Sequence, residues 1–353
     1  MTSITKPPVR HPGLRKNGRG LTTRDYEGAM STLCAGCGHD SVTAALIQAV
    51  WELDIEPHRA AKMSGIGCSS KTTAYFMRQS HGFNAVHGRM PSVASGANAA
   101  NRELCYIGIS GDGDSLSIGM GQLVHAIRRN VALLYLIENN GVYGLTKGQF
   151  SASSDVGSKS KKGEANVQPP VDPVLLGLTL GATFVARAFS GDKAQLVPIL
   201  KAGLMHRGLA LVDIISPCVS FNDHEGSTKS YRYTREHNVE VSWVDLVPLQ
   251  HEITTPPSAE EQAVVSVTMH GGEVLRFRKT HESYDPTDRE AAYAHVRACT
   301  KRGEIATGLL YVDENGQDMH TVNHTVGAPL YSLPFDQLCP GNAKLQELME
   351  EFR

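Results

Sequence analysis

Residues Leu104–Asn140, LCYIGISGDGDSLSIGMGQLVHAIRRNVALLYLIENN, decide the fold. Leu104 to Ser110 is a continuous apolar run that reads as a buried strand. Gly111–Asp112–Gly113–Asp114 breaks it, and Leu116 to Arg129 carries the apolar spacing of a helix. Val131 to Ile137 is a second apolar strand, ended by Glu138–Asn139–Asn140–Gly141. Strand, helix and strand at this spacing form a βαβ unit with parallel strands.

The same alternation extends in both directions. Downstream, Val174 to Leu180 and Lys193 to His206 read as helices, and Thr183 to Ala188 and Leu209 to Ile215 as strands. Upstream, Asp40 to Trp51 reads as a helix with Asp40 or Ser41 as its N-cap. Ala60 to Met63 is a short strand running into the small-residue loop Ser64–Ser70, and Val93 to Asn101 is a helix. The expected fold is therefore α/β: a doubly wound, mostly parallel sheet with helices on both faces and a C-terminal extension. Residues 1–30 read as a flexible basic arm, 31–225 as the α/β domain, and 226–353 as an extension packing on the core and on a partner. Within it, Ala263–Met269 and Glu273–Phe277 flank His270–Gly271–Gly272 as a candidate hairpin, and Arg289–Lys301 looks helical. Residues 149–172 read as a long loop.

Composition narrows the function. The chain has 353 residues, 41% of them hydrophobic, and a net charge of −2. That is enough to bury a sizeable core, and there is no overall field for nucleic acid. No run of about 18 apolar residues suggests a membrane span. The basic N-terminus lacks the apolar segment of a secretory signal, so a cytoplasmic location is expected.

The chemistry begins at Asp112, between two glycines where the first strand ends. Magnesium prefers oxygen ligands and commonly shares them with phosphate. Gly111 and Gly113 would let the backbone turn sharply and approach a phosphate. Asn140 ends the second strand, with 26 residues between it and Gly113. Two adjacent parallel strands would bring both side chains to the carboxyl edge of the sheet, where such folds bind ligands. The helix from Leu116 would point its N-terminus at the same anion. The bland alternative is an ordinary turn and an ordinary strand stop.

There are seven cysteines. Cys34 and Cys37 form a C-x-x-C pair, while Cys68 and Cys218 each sit in a loop after a strand. Cys105 lies inside a strand and reads as core; Cys299 and Cys339 read as structural or free. Four thiolates can hold an iron–sulfur cluster. A structural Cys₄ zinc site and a C-x-x-C dithiol are the alternatives from the residues alone.

GDG followed at this spacing by NN resembles the thiamine diphosphate enzymes. The fuller stretch GDGDSLSIGMGQLVHAIRRNVALLYLIENNGVYGLTKGQFS resembles the β subunit of the 2-oxoacid:ferredoxin oxidoreductases. The resemblance runs from about Cys34 to Asn222. CAGCGHD is similar to the family's C-P-G-C-G-H segment, with Ala35 in place of the proline, and GIGCSS and SPCVSFN match its other cysteine segments. It implies one [4Fe–4S] cluster on Cys34, Cys37, Cys68 and Cys218, and Mg²⁺ on the side chains of Asp112 and Asn140 and the carbonyl of Val142. His39, Gly67, Ser69, His87, Gly111, Gly113, Asp114, Leu145 and Thr146 are the expected thiamine diphosphate contacts. From the residues alone, Ser69, Ser70 and Lys71, in a loop at a helix start, are expected to contact the diphosphate.

The implied activity is oxidative decarboxylation of a 2-oxoacid to an acyl-coenzyme A, with electrons leaving to ferredoxin; the reverse carboxylation is chemically open. GDGDSLSIG with IRRN is closer to the 2-oxoglutarate branch, pyruvate or a broad range being the competing reading. No carboxylate in this chain stands out to activate the cofactor. The resemblance implies that this Glu comes from a partner α subunit, in an (αβ)₂ assembly. A non-redox thiamine decarboxylase or carboligase and a non-enzymatic zinc scaffold are the rival functions.

Overall fold

The computed structural model describes residues 11–160, 163–247, 264–268, 274–279, 284–339 and 341–352. Its elements begin with α1 (Gly38–Glu52), β1 (Ala60–Ser64), α2 (Thr72–Tyr75), β2 (His81–Asn84), α3 (Met90–Ala100) and β3 (Cys105–Gly111). A π-helical turn (Gly113–Ile118) leads into α4 (Met120–Arg129) and β4 (Leu133–Asn139). Next come the short strands β5 (Val142–Tyr143) and β6 (Gln149–Phe150), then α5 (Pro173–Leu180), β7 (Phe184–Phe189), α6 (Lys193–Met205) and β8 (Leu209–Ile215). The later elements are α7 (Tyr231–His237), β9 (Asn238–Glu240), β10 (Ser242–Val247), β11 (Val264–Thr268), β12 (Val274–Lys279), α8 (Arg289–Lys301) and β13 (Ile305–Val312).

Eight strands form the main sheet in the order β2-β1-β3-β4-β8-β7-β13-β9. From β2 to β7 every pairing is parallel, and β13 joins antiparallel to β7. This is the α/β sheet expected from the apolar runs. Every residue of β4 and β8 is buried. Along β4 the side chains alternate: Leu134 and Leu136 enter the core beside α1 and α6, while Leu133, Tyr135 and Ile137 enter the core on the other face. Two covered faces explain why these strands read as unbroken apolar runs.

Several boundaries differ from expectation, each for a local reason. Helix α1 starts at Gly38, with Cys37 in the capping position and no side-chain cap, so neither Asp40 nor Ser41 caps it. The Gly38 N–H instead donates to the Pro217 carbonyl, tying the C-x-x-C segment to the loop after β8. The expected helix from Leu116 divides at Gly119, which packs against Gly88 so closely that a Cβ on either would strike the other backbone. Strand β2 went unread because all four of its residues, His-Gly-Phe-Asn, are exposed at the sheet edge.

The described part of the expected flexible arm, 11–30, is packed: Tyr26 is fully buried and Trp51 Nε1 donates to the Leu21 carbonyl. Past residue 225 the chain still feeds the sheet, through β13 and β9. β11 and β12 do pair antiparallel, in a separate small sheet with β10; Ala263 and the turn 269–273 between them lie outside the described residues. Among the described residues no helix is long and apolar enough to cross a membrane.

Candidate functional site

The strand order reverses between β1 and β3, which opens a crevice at the carboxyl edge of the sheet. The loop after β1 carries Gly67, Cys68 and Ser69; the turn after β3 carries Asp112, Gly113 and Asp114. β3 and β4 pair in parallel with Gly111 opposite Glu138, so Asn140 emerges beside Asp112. The Asn140 N–H donates to Asp112 Oδ1 at 3.4 Å.

A cavity of about 70 Å³ lies here. His39, Gly67, Cys68, Ser69, His87, Gly111, Asp112, Gly113, Asp114, Asn140, Val142, Leu145 and Thr146 line it, together with Ile66, Tyr143 and Gly144. Every residue expected to contact the cofactor or Mg²⁺ thus faces one space. Ser70 and Lys71 do not line it.

The two glycines of the GDG turn act through space and not through unusual dihedrals. Neither has a positive φ. A Cβ on Gly113 would enter the Tyr143 ring, whose hydroxyl donates to the Gly113 carbonyl at 3.0 Å. A Cβ on Gly111 would sit 3.0 Å from Ser69 Oγ.

Asp112 is 1% exposed, and burial raises its carboxyl above the usual range against the lowering effect of its hydrogen bonds. Those bonds come from the hydroxyls of Ser151 and Ser153 and the N–H of Asn140. A divalent cation would supply the compensating charge that this buried carboxylate needs. Asn140 Oδ1 accepts from the Val142 N–H at 3.0 Å, which turns its amide nitrogen toward His39 Nε2 at 3.4 Å. The His39 ring proton then sits on Nδ1 and donates to Ser216 Oγ at 2.6 Å. His39 is fully buried and held at about 4 by desolvation, so its imidazole is neutral. Asp114 accepts from Ser110 Oγ, the Gly88 N–H and His87 Nδ1, which fixes the His87 ring at the cavity wall. Arg89 Nη1 donates to Gln122 Oε1 on α4 at 3.1 Å.

The cysteines gather at the same edge. A Cβ on Gly144, a cavity residue, would lie 3.5 Å from Cys68 Sγ and 3.6 Å from Cys218 Sγ. Ser220 Oγ donates to Cys34 Sγ at 3.3 Å, Cys37 feels the charge of Cys218, and Cys218 that of Cys34. Burial pushes the Cys37 thiol up to about 12 and raises Cys68 and Cys218, so thiolates here require the positive charge of bound metal. Among the described residues no three His, Cys, Asp or Glu side chains converge as a single ion needs. A Cys₄ zinc site would close all its sulfurs on one atom at about 2.3 Å. An iron–sulfur cube spreads its irons over separate corners and needs no common point. Cys105 lies within β3, Cys299 is buried in α8, and Cys339 is exposed far along the chain.

Residues 65–214 match the family described as thiamine pyrophosphate enzyme, C-terminal TPP binding domain. The β subunit of 2-oxoacid:ferredoxin oxidoreductase from Saccharolobus solfataricus is 39% identical over 223 residues, which is 62% of this chain and 72% of that protein. The chain belongs to the β subunits of the 2-oxoacid:ferredoxin oxidoreductases. The 2-oxoglutarate oxidoreductase subunit KorB of Mycobacterium tuberculosis is 41% identical over 54% of this chain and 51% of its own length. A solved 2-oxoglutarate:ferredoxin oxidoreductase from Magnetococcus marinus, with 2-oxoglutarate, coenzyme A and succinyl-CoA bound, superposes with a TM-score of 0.69. It is 29% identical and the match covers 89% of this chain and 92% of that one. As part of such an oxidoreductase, the protein is an enzyme subunit, and the zinc scaffold is set aside.

Parts of this β subunit's site carry no assigned role in the sequence reading. Ser151 and Ser153, from the stretch expected to be plain loop, hold Asp112, and Ser154 Oγ donates to the Gly141 carbonyl. Asn222 Nδ2 donates to the Asn140 carbonyl at 2.8 Å, which pins the NNG turn from the far side. Glu138, at the end of β4, is fully buried 3.3 Å from His39 Nδ1, and Thr72 Oγ1 lies 3.0 Å from its Oε1. Desolvation raises its carboxyl well above the usual range.

Proposed function

We propose that this β subunit, joined to its α subunit, converts 2-oxoglutarate and coenzyme A to succinyl-CoA and CO₂, using thiamine diphosphate and Mg²⁺. Electrons leave through a [4Fe–4S] cluster to ferredoxin. The observation that carries this reading is that Cys68 and Cys218 stand against Gly144, a wall residue of the cavity that also exposes Asp112 and Asn140. Donors for a metal diphosphate and donors for a redox cluster thus share one sheet edge.

Asp112 and Asn140 would hold Mg²⁺ by side-chain oxygens, with the Val142 carbonyl beside them. Gly113 opens the helical turn that would meet the diphosphate with its backbone N–H groups. His39, neutral and locked between Ser216 and Asn140, keeps the Asn140 oxygen aimed at the cation. Bound here, thiamine diphosphate would supply a carbon nucleophile and an electron sink for decarboxylation. Cys34, Cys37, Cys68 and Cys218 would hold the cluster that accepts the electrons one at a time.

The cavity of about 70 Å³ is far below the roughly 300–1,000 Å³ of an enclosed small-molecule site. Closure of a second surface over the organic part of the cofactor fits that size, and the α subunit would supply it together with the activating Glu. An (αβ)₂ assembly follows the same reading. 2-Oxoglutarate is favoured over pyruvate by the names of the KorB relatives and by the ligands of the Magnetococcus enzyme.

The test is co-purification of both subunits without oxygen, followed by analysis of iron, sulfide, magnesium and thiamine diphosphate. Coenzyme A-dependent reduction of ferredoxin with 2-oxoglutarate and with pyruvate then assigns the substrate. Equal rates with both acids would refute the substrate choice. Thiamine diphosphate without iron or sulfide would favour a non-redox decarboxylase.

A further inference from the structure

Behind the metal site a buried polar chain runs along the carboxyl edge of the sheet. It crosses four neighbouring strands, from β7 through β8 and β4 to β3. Arg187 on β7 is almost fully buried; its Nη2 donates to Asp172 Oδ1 at 2.5 Å and its Nε to Asp213 Oδ2 on β8 at 2.7 Å. Asp172 is itself anchored as the N-cap of α5, accepting from the N–H groups of Val174 and Leu175. Asp213 Oδ1 accepts from Asn139 Nδ2 on β4 at 2.9 Å. Ser153 Oγ lies 2.9 Å from Asn139 Oδ1 and 2.5 Å from Asp112 Oδ2.

The order of donors along this chain is forced. Paired with a guanidinium, Asp213 is an acceptor only, so Asn139 must turn its amide nitrogen toward it. The Asn139 oxygen then faces Ser153, and the single hydroxyl proton of Ser153 has to serve one of two acceptors. That an amide oxygen, and not an NH₂ group, faces this hydroxyl beside the Asp112 carboxylate is set three side chains away, at Arg187.

We propose that Arg187, Asp213, Asn139 and Ser153 form a positioning relay that holds the Asp112 carboxylate in the orientation a divalent cation requires. None of the four is a catalytic residue; each acts through Asp112. The relay rests on the reading of Asp112 as the Mg²⁺ ligand. It also gives the first Asn of the NN pair a role: Asn139 faces the relay while Asn140 faces the cavity. Outer partners that orient metal ligands commonly change metal affinity by about 10- to 100-fold when lost.

The experiment titrates Mg²⁺ into the assembled, Mg²⁺-depleted αβ enzyme, its iron and sulfide retained, at fixed thiamine diphosphate and follows cofactor binding by calorimetry. Asp213→Asn and Ser153→Ala should each raise the Mg²⁺ concentration for half-saturation by about tenfold or more. At saturating Mg²⁺, cofactor affinity should return to the parent's value. The double variant should fall well short of the product of the two singles, because both interrupt one chain. Thr307→Val is the control: it breaks the buried Gln195–Thr307–Asn238 contacts in the same sheet, and should cost stability without moving the Mg²⁺ midpoint.

If Asp213→Asn does not assemble, Ser153→Ala carries the test, since it removes one oxygen and leaves the Arg187–Asp213 pair intact. Midpoints within twofold of the parent, or a double variant equal to the product of the singles, would overturn the relay. A parent enzyme whose cofactor binding ignores Mg²⁺, or an Asp112→Asn variant that binds Mg²⁺ normally, would instead overturn the metal-site reading and the relay with it.

Discussion

Replacing Glu138 by glutamine separates two descriptions of its contact with His39. On distance alone, 3.3 Å between Oε2 and Nδ1, the pair could be ionic. Burial opposes that: desolvation raises the Glu138 carboxyl well above its usual range and lowers His39 to about 4. Both groups are then neutral, with His39 Nδ1–H directed at Ser216 and Glu138, and the acid proton shared with Thr72. Glutamine preserves these contacts, its oxygen toward His39 and its NH₂ toward Thr72. The pH dependence differs. An unfolded glutamate loses its proton near pH ~4.3, whereas the folded one keeps it to a higher pH. Within that window the native state binds more protons than the unfolded state. The group therefore costs stability as pH rises, by about 1.4 kcal/mol per pH unit, until the raised folded value is passed. Glu138→Gln removes that cost, so within that window the variant should gain about 1.4 kcal/mol on the parent for each pH unit. Unfolding entropy of roughly 2.1 cal/mol/K per residue over 353 residues converts this to ~2 °C. Anaerobic thermal melts of the assembled enzyme at one scan rate, at two pH values one unit apart within that window, should show the difference between variant and parent widening by that amount. A difference that stays constant or narrows with pH would refute a neutral Glu138 and restore the ion pair. Infrared spectra give a second check: the carbonyl band of a protonated carboxyl should be lost in the variant.

Three further outcomes are expected. Gly113→Ala puts a methyl into the Tyr143 ring; overpacking of about 1–3 kcal/mol should weaken thiamine diphosphate binding roughly tenfold, as read by titration with Mg²⁺ present, and unchanged binding would mean that the ring swings aside freely. Lys62→Met removes the ammonium that donates to the carbonyls of Thr73, Phe76 and Met77 at 2.7, 2.5 and 3.1 Å. With these left unpaired, about 3 kcal/mol or more should be lost, visible as a fall of ~4 °C in the melting midpoint on the same entropy scale. Serine at Cys34, Cys37, Cys68 or Cys218 should each abolish bound iron and sulfide in the purified complex, while serine at Cys105 or Cys299 should retain both; a Cys68→Ser variant with full iron content would sink the four-thiolate set.

What the sequence disclosed and what it concealed follow from how far apart the interacting residues lie. Strands β4 and β8 were legible because two covered faces leave no polar position to interrupt the apolar run. Asp112 and Asn140 were legible because each ends such a strand, and parallel pairing puts strand ends at one edge. The four edge residues of β2 bury nothing and so carried no pattern. The break at Gly119 reflects its approach to Gly88, a contact between segments that periodicity treats separately. The arm before α1 read as flexible because Asn17 and Tyr26 are isolated among charges, although Asn17 Nδ2 donates to both Tyr26 and the Trp51 carbonyl.

The same logic explains why the grip on Asp112 was invisible. Ser151 and Ser153 lie in a Ser- and Lys-rich stretch whose composition is that of any solvated loop. They reach Asp112 because the chain turns back through the paired strands β5 and β6 immediately after Asn140. Glu138 likewise read as the polar stop of an apolar strand. In the structure that strand continues through Glu138 to Asn139, and burial converts the acid from a solvated charge into a neutral partner of Thr72 and His39. A motif marks the residues that meet a ligand, since their chemistry fixes the residue type at a given place along a strand. The residues that hold those ligands in place need only a hydroxyl or an amide at the right point in space. Many positions in a chain can provide one, so the supporting half of this site became readable only once the sheet had brought its loops together.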